Sequence, residues 1–228
     1  MSPYLLSEAA ETDACDIATL FSLSWTSPFT RLQFGNIDPD VLAESMTPRI
    51  KEQIEKHGTR YIVVRDDKEK VISCAQWTIP IDEEGIPEED VKETVQDQEE
   101  RQQMEDEVFR KNLPENSNKD LIVDFMTGVR ELRKRAVAGR KHYALENIAT
   151  HPSYRGQGLA SKLVQWSFAK ADGQNSLVYL DTASDNTAMK LYKKLGFKEV
   201  GSHTIEDLSK YGGEGSETHI AFLRYPSS

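Results

Sequence analysis

The sequence predicts a single domain of mixed α/β class (α+β mixed), because strand patterns and amphipathic helix patterns alternate along the chain. Its 228 residues match the size of one large domain. Hydrophobic residues make up 38% and charged residues 29%, as in globular proteins that bury a core. Cys15 and Cys74 are too few for a disulfide framework and lack metal-ligand spacing. We therefore expect residues 1–228 to fold as one domain around a hydrophobic core.

A strand and a helix open the chain. The mildly apolar stretch Pro3–Ala10 suits an edge strand, and Thr12 or Asp13 can cap a helix whose apolar residues recur at helical spacing. Pro28 interrupts that pattern. We expect Phe29–Gly35 to form a loop with exposed or site-lining aromatic rings.

A second helix and two strands follow. Asp38 and Pro39 supply a cap and a first-turn proline, and the helix pattern runs towards Lys56. Tyr61–Val64 and Val71–Ile79 are apolar runs on either side of a charged turn. They predict two strands of a hairpin.

An acidic segment interrupts this alternation at residues 81–118. Residues 82–107 contain 13 acidic and 2 basic residues, so the rest of the chain is nearly neutral. We expect a solvated helix with a thin apolar seam, or alternatively an acidic lid over the substrate. The seam consists of Val91, Val95, Met104 and Val108. With the helix that follows, the segment forms a predicted helical insertion over residues 81–142.

The remaining elements are regular in pattern. They are a basic-ended amphipathic helix over residues 121–136, a strand at Tyr143–Thr150, a helix at Leu159–Ala171, a strand at Leu177–Leu180, a helix at Asn186–Leu195 and strands at Phe197–Thr204 and Thr218–Tyr225.

Several classes of protein are excluded at this point. No stretch approaches the roughly 20 apolar residues of a membrane helix, and the first residues lack the pattern of a secretory signal. An acidic chain without a basic stripe is a poor match for phosphate backbones. We expect a cytoplasmic protein with no membrane partner and no nucleic-acid partner.

The stretch from Ile148 to Ala160 carries the chemical signal. A strand ends, Pro152 makes a turn, and Gly156 and Gly158 lead directly into an apolar helix. Glycines let the backbone approach a ligand closely, and the first amides of a helix attract phosphate. The run lacks the Gly-Lys-Ser/Thr ending of a P-loop and the third glycine of a dinucleotide fingerprint. It indicates an anion cradle of another kind.

Two motifs resemble those of the GNAT superfamily of acyl-CoA-dependent N-acyltransferases. Arg155-Gly156-Gln157-Gly158-Leu159-Ala160 is similar to the family's Arg/Gln-x-x-Gly-x-Gly/Ala signature, and Ile148-Ala149-Thr150-His151-Pro152 is similar to the strand before it. Asp185–Phe197 is similar to the family's Asn-x-x-Ala-x-x-Leu-Tyr-x-x-Leu-Gly-Phe helix. The resemblance implies a central, mostly antiparallel sheet that splays at the CoA site and is flanked by helices. Residues 143–200 would form the CoA-binding core.

The resemblance also implies acetyl-CoA as cosubstrate and no metal. Family members hold the pyrophosphate on the glycine-loop amides and pair the preceding strand with the pantetheine arm. An asparagine contacts the pantetheine or the acceptor, and a tyrosine stands near the thioester sulfur. The matching residues are Ile148, Ala149, Thr150, Arg155, Gly156, Gln157, Gly158, Leu159, Ala160, Asn186 and Tyr192.

Acetyl transfer to an amine needs a proton acceptor for the nitrogen and a proton donor for the leaving sulfur. We hypothesise that Tyr192 is the general acid; the alternative is a core tyrosine. By period-two alternation Glu146 shares a face with Ile148 and Thr150. It is a candidate base or an anchor for a cationic amine; the alternative is an exposed strand-edge glutamate. His142 and His151 are less favoured candidates for the base.

The acceptor pocket of such a fold would be built from the first helices and the last strands. Its candidate apolar walls are Trp25, Phe29, Phe34 and Trp77. For each of these side chains a place in the core is the alternative. Aromatic walls favour a small, partly apolar amine.

The function that these arguments predict is an N-acetyltransferase that moves an acetyl group from acetyl-CoA to a primary amine of a small molecule. Since no cysteine lies in the motifs, we expect direct attack through a ternary complex, in a monomer or homodimer. Three alternatives stay open: a non-catalytic acyl-CoA-binding module, a protein-lysine acetyltransferase that docks through residues 82–107, and an O-acyltransferase.

Overall fold

The structure is a computed structural model that describes residues 4–80 and 95–227. At its centre is a seven-stranded sheet with the spatial order β1-β2-β3-β4-β5-β7-β6. The strands are β1 (Leu6–Glu8), β2 (Thr59–Arg65), β3 (Val71–Thr78), β4 (His142–Thr150), β5 (Leu177–Ala183), β6 (Lys198–Ile205) and β7 (Glu217–Arg224). The helices are α1 (Ala14–Ser24), α2 (Pro28–Phe34), α3 (Pro39–Glu55), α4 (Val95–Asn112), α5 (Lys119–Val137), α6 (Leu159–Gln165), α7 (Phe168–Gly173) and α8 (Met189–Lys194). The predicted mixed α/β class is confirmed.

The sheet consists of two antiparallel halves joined by one parallel pair. Strands β1 to β4 form one half, with β1 at the outer edge as predicted, and β5 to β7 form the other. Between the halves, β4 and β5 run parallel and pair only over His142–Leu145 and Leu177–Leu180. A short seam therefore holds the halves together.

Helices cover both faces of this sheet. Helices α1, α3 and α5 lie on one face, called the α5 face below, and helices α6 to α8 lie on the other, called the α6 face. In β2 the side chains of Tyr61 and Val63 pack on the α5 face, whereas Ile62 and Val64 pack on the α6 face. A strand buried on both faces reads as a continuous apolar run, as this one does. Within the described ranges, no helix combines the length and apolar character needed to cross a bilayer.

Residues 28–34 form helix α2, so the prediction of a loop at Phe29–Gly35 is wrong. The Ser27 hydroxyl accepts a hydrogen bond from the Thr30 amide at 3.0 Å, and Pro28 occupies the first turn. A serine cap followed by proline is a favourable helix start, because proline has no amide hydrogen to leave unsatisfied. The proline that ends one helix pattern thus begins the next helix.

Two predicted helices are shorter in the structure. The helix expected at Leu159–Ala171 divides into α6 and α7 at Trp166 and Ser167. The helix expected from Asn186 begins at Met189, because the Asn186 side-chain oxygen accepts a hydrogen bond from the Ala188 amide at 2.9 Å. An asparagine that bonds its own following backbone in this way stabilises a turn instead of a helix.

Ion pairs, and not an apolar seam, attach the described part of α4. Met104 and Val108 of the predicted seam are 69% and 51% exposed. The Asp106 carboxylate accepts two hydrogen bonds from Arg130 of α5, at 2.9 and 2.7 Å. Helix α4 is therefore a solvated helix. Residues 81–94, which hold Val91 and much of the acidic charge, lie outside the described residues.

Helix α5 approaches the sheet closely at Gly128, and this contact can be tested. A Cβ atom added there would overlap the imidazole of His203 on β6. We expect Gly128→Ala to lower the free energy of unfolding by about 1–3 kcal/mol, the usual cost of overpacking. Gly173→Ala in α7 is the matched control, since a Cβ there meets no atom within 4 Å. Urea unfolding should show a loss for the first variant alone; equal midpoints would contradict the close contact.

Candidate active site

One extra residue in β4 opens the sheet beside β5. Across the β3–β4 ladder Gln76 pairs with Asn147 and Trp77 pairs with Leu145, so Glu146 has no opposite residue and forms a bulge. Leu145 is also the last residue of β4 that pairs with β5. From Glu146 onwards β4 stays beside β3 and leaves β5. The predicted splay of the sheet therefore begins at the bulge.

Strand β4 presents backbone groups along this gap. His151 donates its amide hydrogen to the Ile72 carbonyl at 2.9 Å. In an antiparallel ladder, the residues between such pairs turn their own amide and carbonyl groups away from the partner strand. Ile148 and Thr150 therefore direct these groups towards the gap, where β5 does not pair with them. This edge can accept an extended chain that carries amide groups.

Ala149 has the opposite orientation. Its carbonyl accepts a hydrogen bond from the Ser73 hydroxyl on β3 at 2.9 Å, and its side chain is buried on the α5 face. In the structure the polar groups of Ala149 thus serve the ladder with β3, and its contact with the cosubstrate stays a prediction. Only every second residue of the strand faces the gap.

The gap leads into an exposed glycine loop. Gly156 and Gly158 adopt left-handed conformations, with φ of 78° and 77°, and a Cβ atom on either would meet no atom within 4 Å. The Lys162 amide bonds to the Gly158 carbonyl, which leaves the amides of Leu159–Ser161 without an acceptor in the helix. Leu159 is buried and anchors the loop to the core. The loop thus has free amides and open space in front of them.

The other predicted loop residues surround these glycines. Arg155 is exposed, and its Nε donates to the Thr150 carbonyl at 3.3 Å. Gln157 is exposed and Ala160 is half-buried at the start of α6. Arg155 therefore connects the loop with the end of β4.

Strand β5 forms the opposite wall of the gap. Asp181, Thr182 and Ala183 pair with β7 and not with β4. Asn186 lies just beyond, where its Nδ2 donates to the Thr182 hydroxyl at 2.7 Å. Its side chain is exposed, and both of its polar ends are engaged in the turn before α8. Asn186 thus shapes the rim of the gap.

Tyr192 lies on the α6 face. It is buried against Phe197 and Phe222, with ring centroids 6.2 and 6.1 Å away. Burial, with a smaller effect of the Asp181 carboxylate, raises the pKa of Tyr192 to about 12. The phenol therefore stays protonated at neutral pH. Its core contacts and a role as proton donor are compatible with each other.

Glu146 lies on the α5 face, so the expectation that it shares a face with Ile148 and Thr150 is wrong. The bulge breaks the alternation: Ile148 packs against the α6 face, whereas Glu146 contacts Arg133 of α5. Both Arg133 amino groups donate to the carboxylate, at 2.8 and 2.6 Å, and the Thr78 hydroxyl donates at 2.7 Å. Glu146 would have to leave this ion pair before it could accept a proton.

The structure shows a charged cluster on β5 and β7 that the sequence reasoning missed. One oxygen of Asp181 accepts from the Tyr179 hydroxyl at 3.1 Å, and the other lies 3.2 Å from Nδ1 of His219. Nε2 of His219 lies 3.5 Å from Glu217. Burial opposes protonation of His219, but Asp181 and Glu217 outweigh it and raise its pKa to about 9.

A sequence signal for this cluster existed. Tyr179 and Asp181, like Glu217 and His219, are two residues apart and share a face in a strand. Only the pairing of β5 with β7 shows that the two pairs are neighbours. The Arg133 guanidinium lies 5.0 Å from the centroid of the Tyr179 ring, which links the cluster to Glu146.

The predicted aromatic walls divide between two cavities and the core. Phe29 lines a cavity of about 480 Å³ between α2 and the segment before β7. Trp25 and Phe34 stack at 6.0 Å and line a second cavity, of about 430 Å³, between α1, α2 and the start of α3. Trp77 is fully buried on the α6 face against Trp166. The prediction that Trp77 forms an acceptor wall is corrected, since it belongs to the core.

A family model matches most of the chain. The model of the Acetyltransferase (GNAT) family matches residues 17–197. A curated protein of Mus musculus, "Probable N-acetyltransferase family 8 member 5", is 28% identical over 92 residues, which is 40% of each chain. The chain thus spans less than half the length of that relative.

Solved structures share the fold over nearly the whole chain. A histone acetyltransferase and related acetyltransferase from Corynebacterium glutamicum has a TM-score of 0.56 at 19% identity, over 99% of this chain and 97% of that one. An agmatine N-acetyltransferase in its apo form has a TM-score of 0.60 at 13% identity, over 96% and 99%. At these identities the similarity is one of fold. The resemblance and the fold class predicted from the sequence are confirmed.

The Arg133–Glu146 pair should stabilise the docking of α5. Both side chains are about three-quarters buried, at 29% and 23% exposure, so removal of one leaves the other poorly compensated. We expect Arg133→Met to lower the free energy of unfolding by about 2 kcal/mol. The double variant Arg133→Met/Glu146→Gln should lose less than the sum of the single variants. Urea unfolding of all four proteins measures this coupling, and strictly additive losses would show that the pair contributes nothing.

Proposed function

The chain belongs to the acetyltransferase (GNAT) family, and from this membership we propose that it transfers an acetyl group from acetyl-CoA to a primary amine of a small molecule. One observation carries the proposal: the backbone edge of Ile148 and Thr150, which β5 leaves unpaired, leads directly into the open glycine loop. A chain with amide groups and a pyrophosphate at one end matches this arrangement.

The residues present fit acetyl-CoA as cosubstrate. Ile148 and Thr150 would pair with the pantetheine arm, and the amides from Gly156 to Ala160 would hold the pyrophosphate. Acetyl-CoA supplies an activated acyl group and a thiolate leaving group. The chain itself supplies orientation, a donor for the carbonyl oxygen from the free edge of β4, and groups that handle protons.

Direct transfer is favoured over a covalent acyl-enzyme. Cys74 is fully buried, and burial together with the nearby Asp13 carboxylate raises the pKa of its thiol well above the usual range. A thiol that stays protonated is a poor nucleophile. Cys15 is exposed on α1, outside both motifs.

Tyr192 is suited to stabilise the leaving sulfur. Complete proton transfer from a phenol of pKa about 12 to a thiolate whose thiol ordinarily titrates near pH 8.5 is uphill by roughly 5 kcal/mol. The main contribution of Tyr192 is therefore a hydrogen bond to the developing thiolate, with solvent supplying the final proton. This role needs the hydroxyl group and not only the ring.

A small amine fits the cavities on the α5 face. Their volumes of about 480 and 430 Å³ lie in the range of small-molecule sites. Phe29, Trp25 and Phe34 provide apolar walls, and Glu217 provides negative charge at one end. Docking of a protein lysine through residues 82–107 is the competing hypothesis. A variant that lacks this segment should keep its turnover of small amines.

The proposal is tested first by binding of the cosubstrate. We expect Gly158→Glu to abolish binding of acetyl-CoA and of CoA in calorimetric titrations, because a carboxylate would face the pyrophosphate. Gly139→Glu is the matched control, since Gly139 is also left-handed and open, with φ of 72°. Gly139 precedes β4 and Gly158 follows it. The control therefore places the same backbone strain at the opposite end of β4, away from the glycine loop.

Thiol release from acetyl-CoA with n-butylamine, putrescine, phenethylamine and glycine then identifies the acceptor chemistry. A wild-type protein that binds neither acetyl-CoA nor CoA contradicts the whole proposal. Saturable binding without thiol release for any amine would instead favour the acyl-CoA-binding module.

Loss of the Tyr192 hydroxyl should slow the reaction while sparing the fold. Tyr192→Phe keeps the contacts with Phe197 and Phe222, so we expect an unchanged unfolding midpoint. We expect kcat to fall by roughly 100-fold, the lower end of the usual range of proton-handling groups, with the CoA affinity unchanged. An unaltered kcat at equal stability would leave Tyr192 as a core residue only.

A further inference from the structure

We propose that His219 is the catalytic base, whose Nε2 takes the proton from the attacking amine while Asp181 holds the ring in position. This assignment rests on the proposed acetyl transfer and replaces Glu146 in that role. Glu146 is held by Arg133 and Thr78, whereas His219 contacts two residues that line a cavity, Phe29 and Glu217, and lies beside Asp181 at the gap.

The position of His219 connects the acceptor cavity with the gap. Phe29 and Glu217 line the cavity of about 480 Å³, and both lie against the His219 ring. The Phe29 centroid is 6.5 Å from the ring centroid, and a Glu217 oxygen is 3.5 Å from Nε2. On the other side Nδ1 lies 3.2 Å from Asp181, which directly follows the last residue of β5 that pairs with β4. His219 itself does not line the cavity, so an amine bound there would reach Nε2 past Phe29 and Glu217.

The two nitrogens of the ring have different environments. A hydrogen bond from Nδ1–H to Asp181 selects the neutral tautomer that keeps its lone pair on Nε2. The distance of 3.5 Å from Nε2 to Glu217 is too long for a well-formed hydrogen bond. Phe125 packs edge-on against the ring at 4.7 Å and restricts its rotation. In that tautomer Nε2 carries the lone pair, and the nearby Glu217 carboxylate is placed to attract an ammonium group.

Charged or titratable groups from several elements surround His219, but only Asp181 and Glu217 raise its pKa. The charged or titratable groups around it are Asp181 and Tyr179 on β5, Glu217 on β7, His203 opposite it on β6, and Arg133 on α5 above Tyr179. Helix α2 contributes the uncharged ring of Phe29. The two carboxylates dominate, so the pKa of about 9 leaves the imidazole protonated at neutral pH. The neutral base form appears as the pH rises towards 9.

The proposed step conserves atoms and charge. The nitrogen lone pair of the neutral amine forms a bond to the acyl carbon, and one proton of that nitrogen passes to Nε2. The carbonyl electron pair moves to oxygen and returns as the carbon–sulfur bond breaks. Tyr192 donates a hydrogen bond to the thiolate, and solvent protonates it. His219 returns its proton to solvent, so the products are an amide and CoA thiol.

The pH dependence of thiol release tests this assignment at saturating acetyl-CoA, with the amine that turns over fastest in the four-amine panel. For the wild type we expect kcat/KM to rise with pH in two limbs, one near pH 9 from His219 and one at higher pH from ionisation of the amine. His219→Gln should lower kcat/KM by about 10²- to 10⁴-fold. Asp181→Asn should move the His219 limb to lower pH, because one carboxylate that stabilises the protonated ring is lost. A limb caused by ionisation of the amine itself would not move.

His203→Gln is the matched control, since His203 is the cross-strand neighbour of His219. It should keep the wild-type pH profile, and thermal unfolding should show that all variants are folded. A wild-type profile in His219→Gln, or an unmoved His219 limb in Asp181→Asn, overturns the assignment of His219 alone. A wild type that fails to bind CoA, or that acetylates none of the four amines, overturns the proposed acetyl transfer and this assignment with it.

Discussion

The unpaired residue in β4 is the constraint on which the rest of the site depends. Glu146 has no opposite residue in β3, and the pairing of β4 with β5 stops one residue earlier, at Leu145. A bulge bends its strand and strengthens the local twist. The first half of β4 therefore pairs with both β3 and β5, whereas the second half pairs with β3 alone. The gap between the strands, the free backbone edge and the break in side-chain alternation are three results of the same irregularity.

The groups that would handle protons lie on opposite faces of the sheet, on either side of the gap. Tyr192 belongs to the α6 face, together with the glycine loop, whereas Asp181 and His219 belong to the α5 face. In the proposed reaction the leaving group and the nucleophile thus approach from opposite sides. Asp181 lies between them, since its charge acts on both Tyr192 and His219. Its carboxylate raises the pKa of both proton-handling groups.

Charges on the α5 face alternate in sign along the network. Glu146 pairs with Arg133, and Asp181 and Glu217 flank His219. Partly buried charges are costly unless each has a partner of opposite sign. The alternation lets a half-buried surface carry several ionisable groups close to the gap. Helix α5 is needed for this arrangement, because Arg133 projects from it over the Tyr179 ring.

Local signals made much of the fold predictable. Apolar runs indicate the positions of β2 to β5, and the motif around Gly156 and Gly158 identifies the loop from the sequence alone. The prediction failed where a local signal had two meanings. Pro28 both ends one helix pattern and starts α2, and the side chain of Asn186 competes with the helix it was expected to begin.

The acceptor side was less predictable, because it depends on pairings distant in sequence. His219 is distinguished from any other histidine only by Asp181, which is 38 positions away along the chain. The face of Glu146 depends on a bulge, and the pairing with β3 is needed to place that bulge. Trp77 lies on β3, next to the strand that borders the gap, but its side chain points to the α6 face and not to the α5 face. A sequence read without its register cannot distinguish these cases.

The bulge also means that the opening of the sheet depends on the presence of one extra residue in β4 and not on which amino acid that residue is. Deletion of Glu146 would leave both flanking registers intact, Trp77 with Leu145 and Gln76 with Asn147, and would join them into one regular ladder. Side-chain alternation would then be continuous, and β4 could run straight along β5. A substitution at this position leaves the bulge in place, whereas the loss of a single codon would remove it. In a lineage that lost the activity, a protein of this fold could therefore become an uninterrupted sheet through one in-frame deletion.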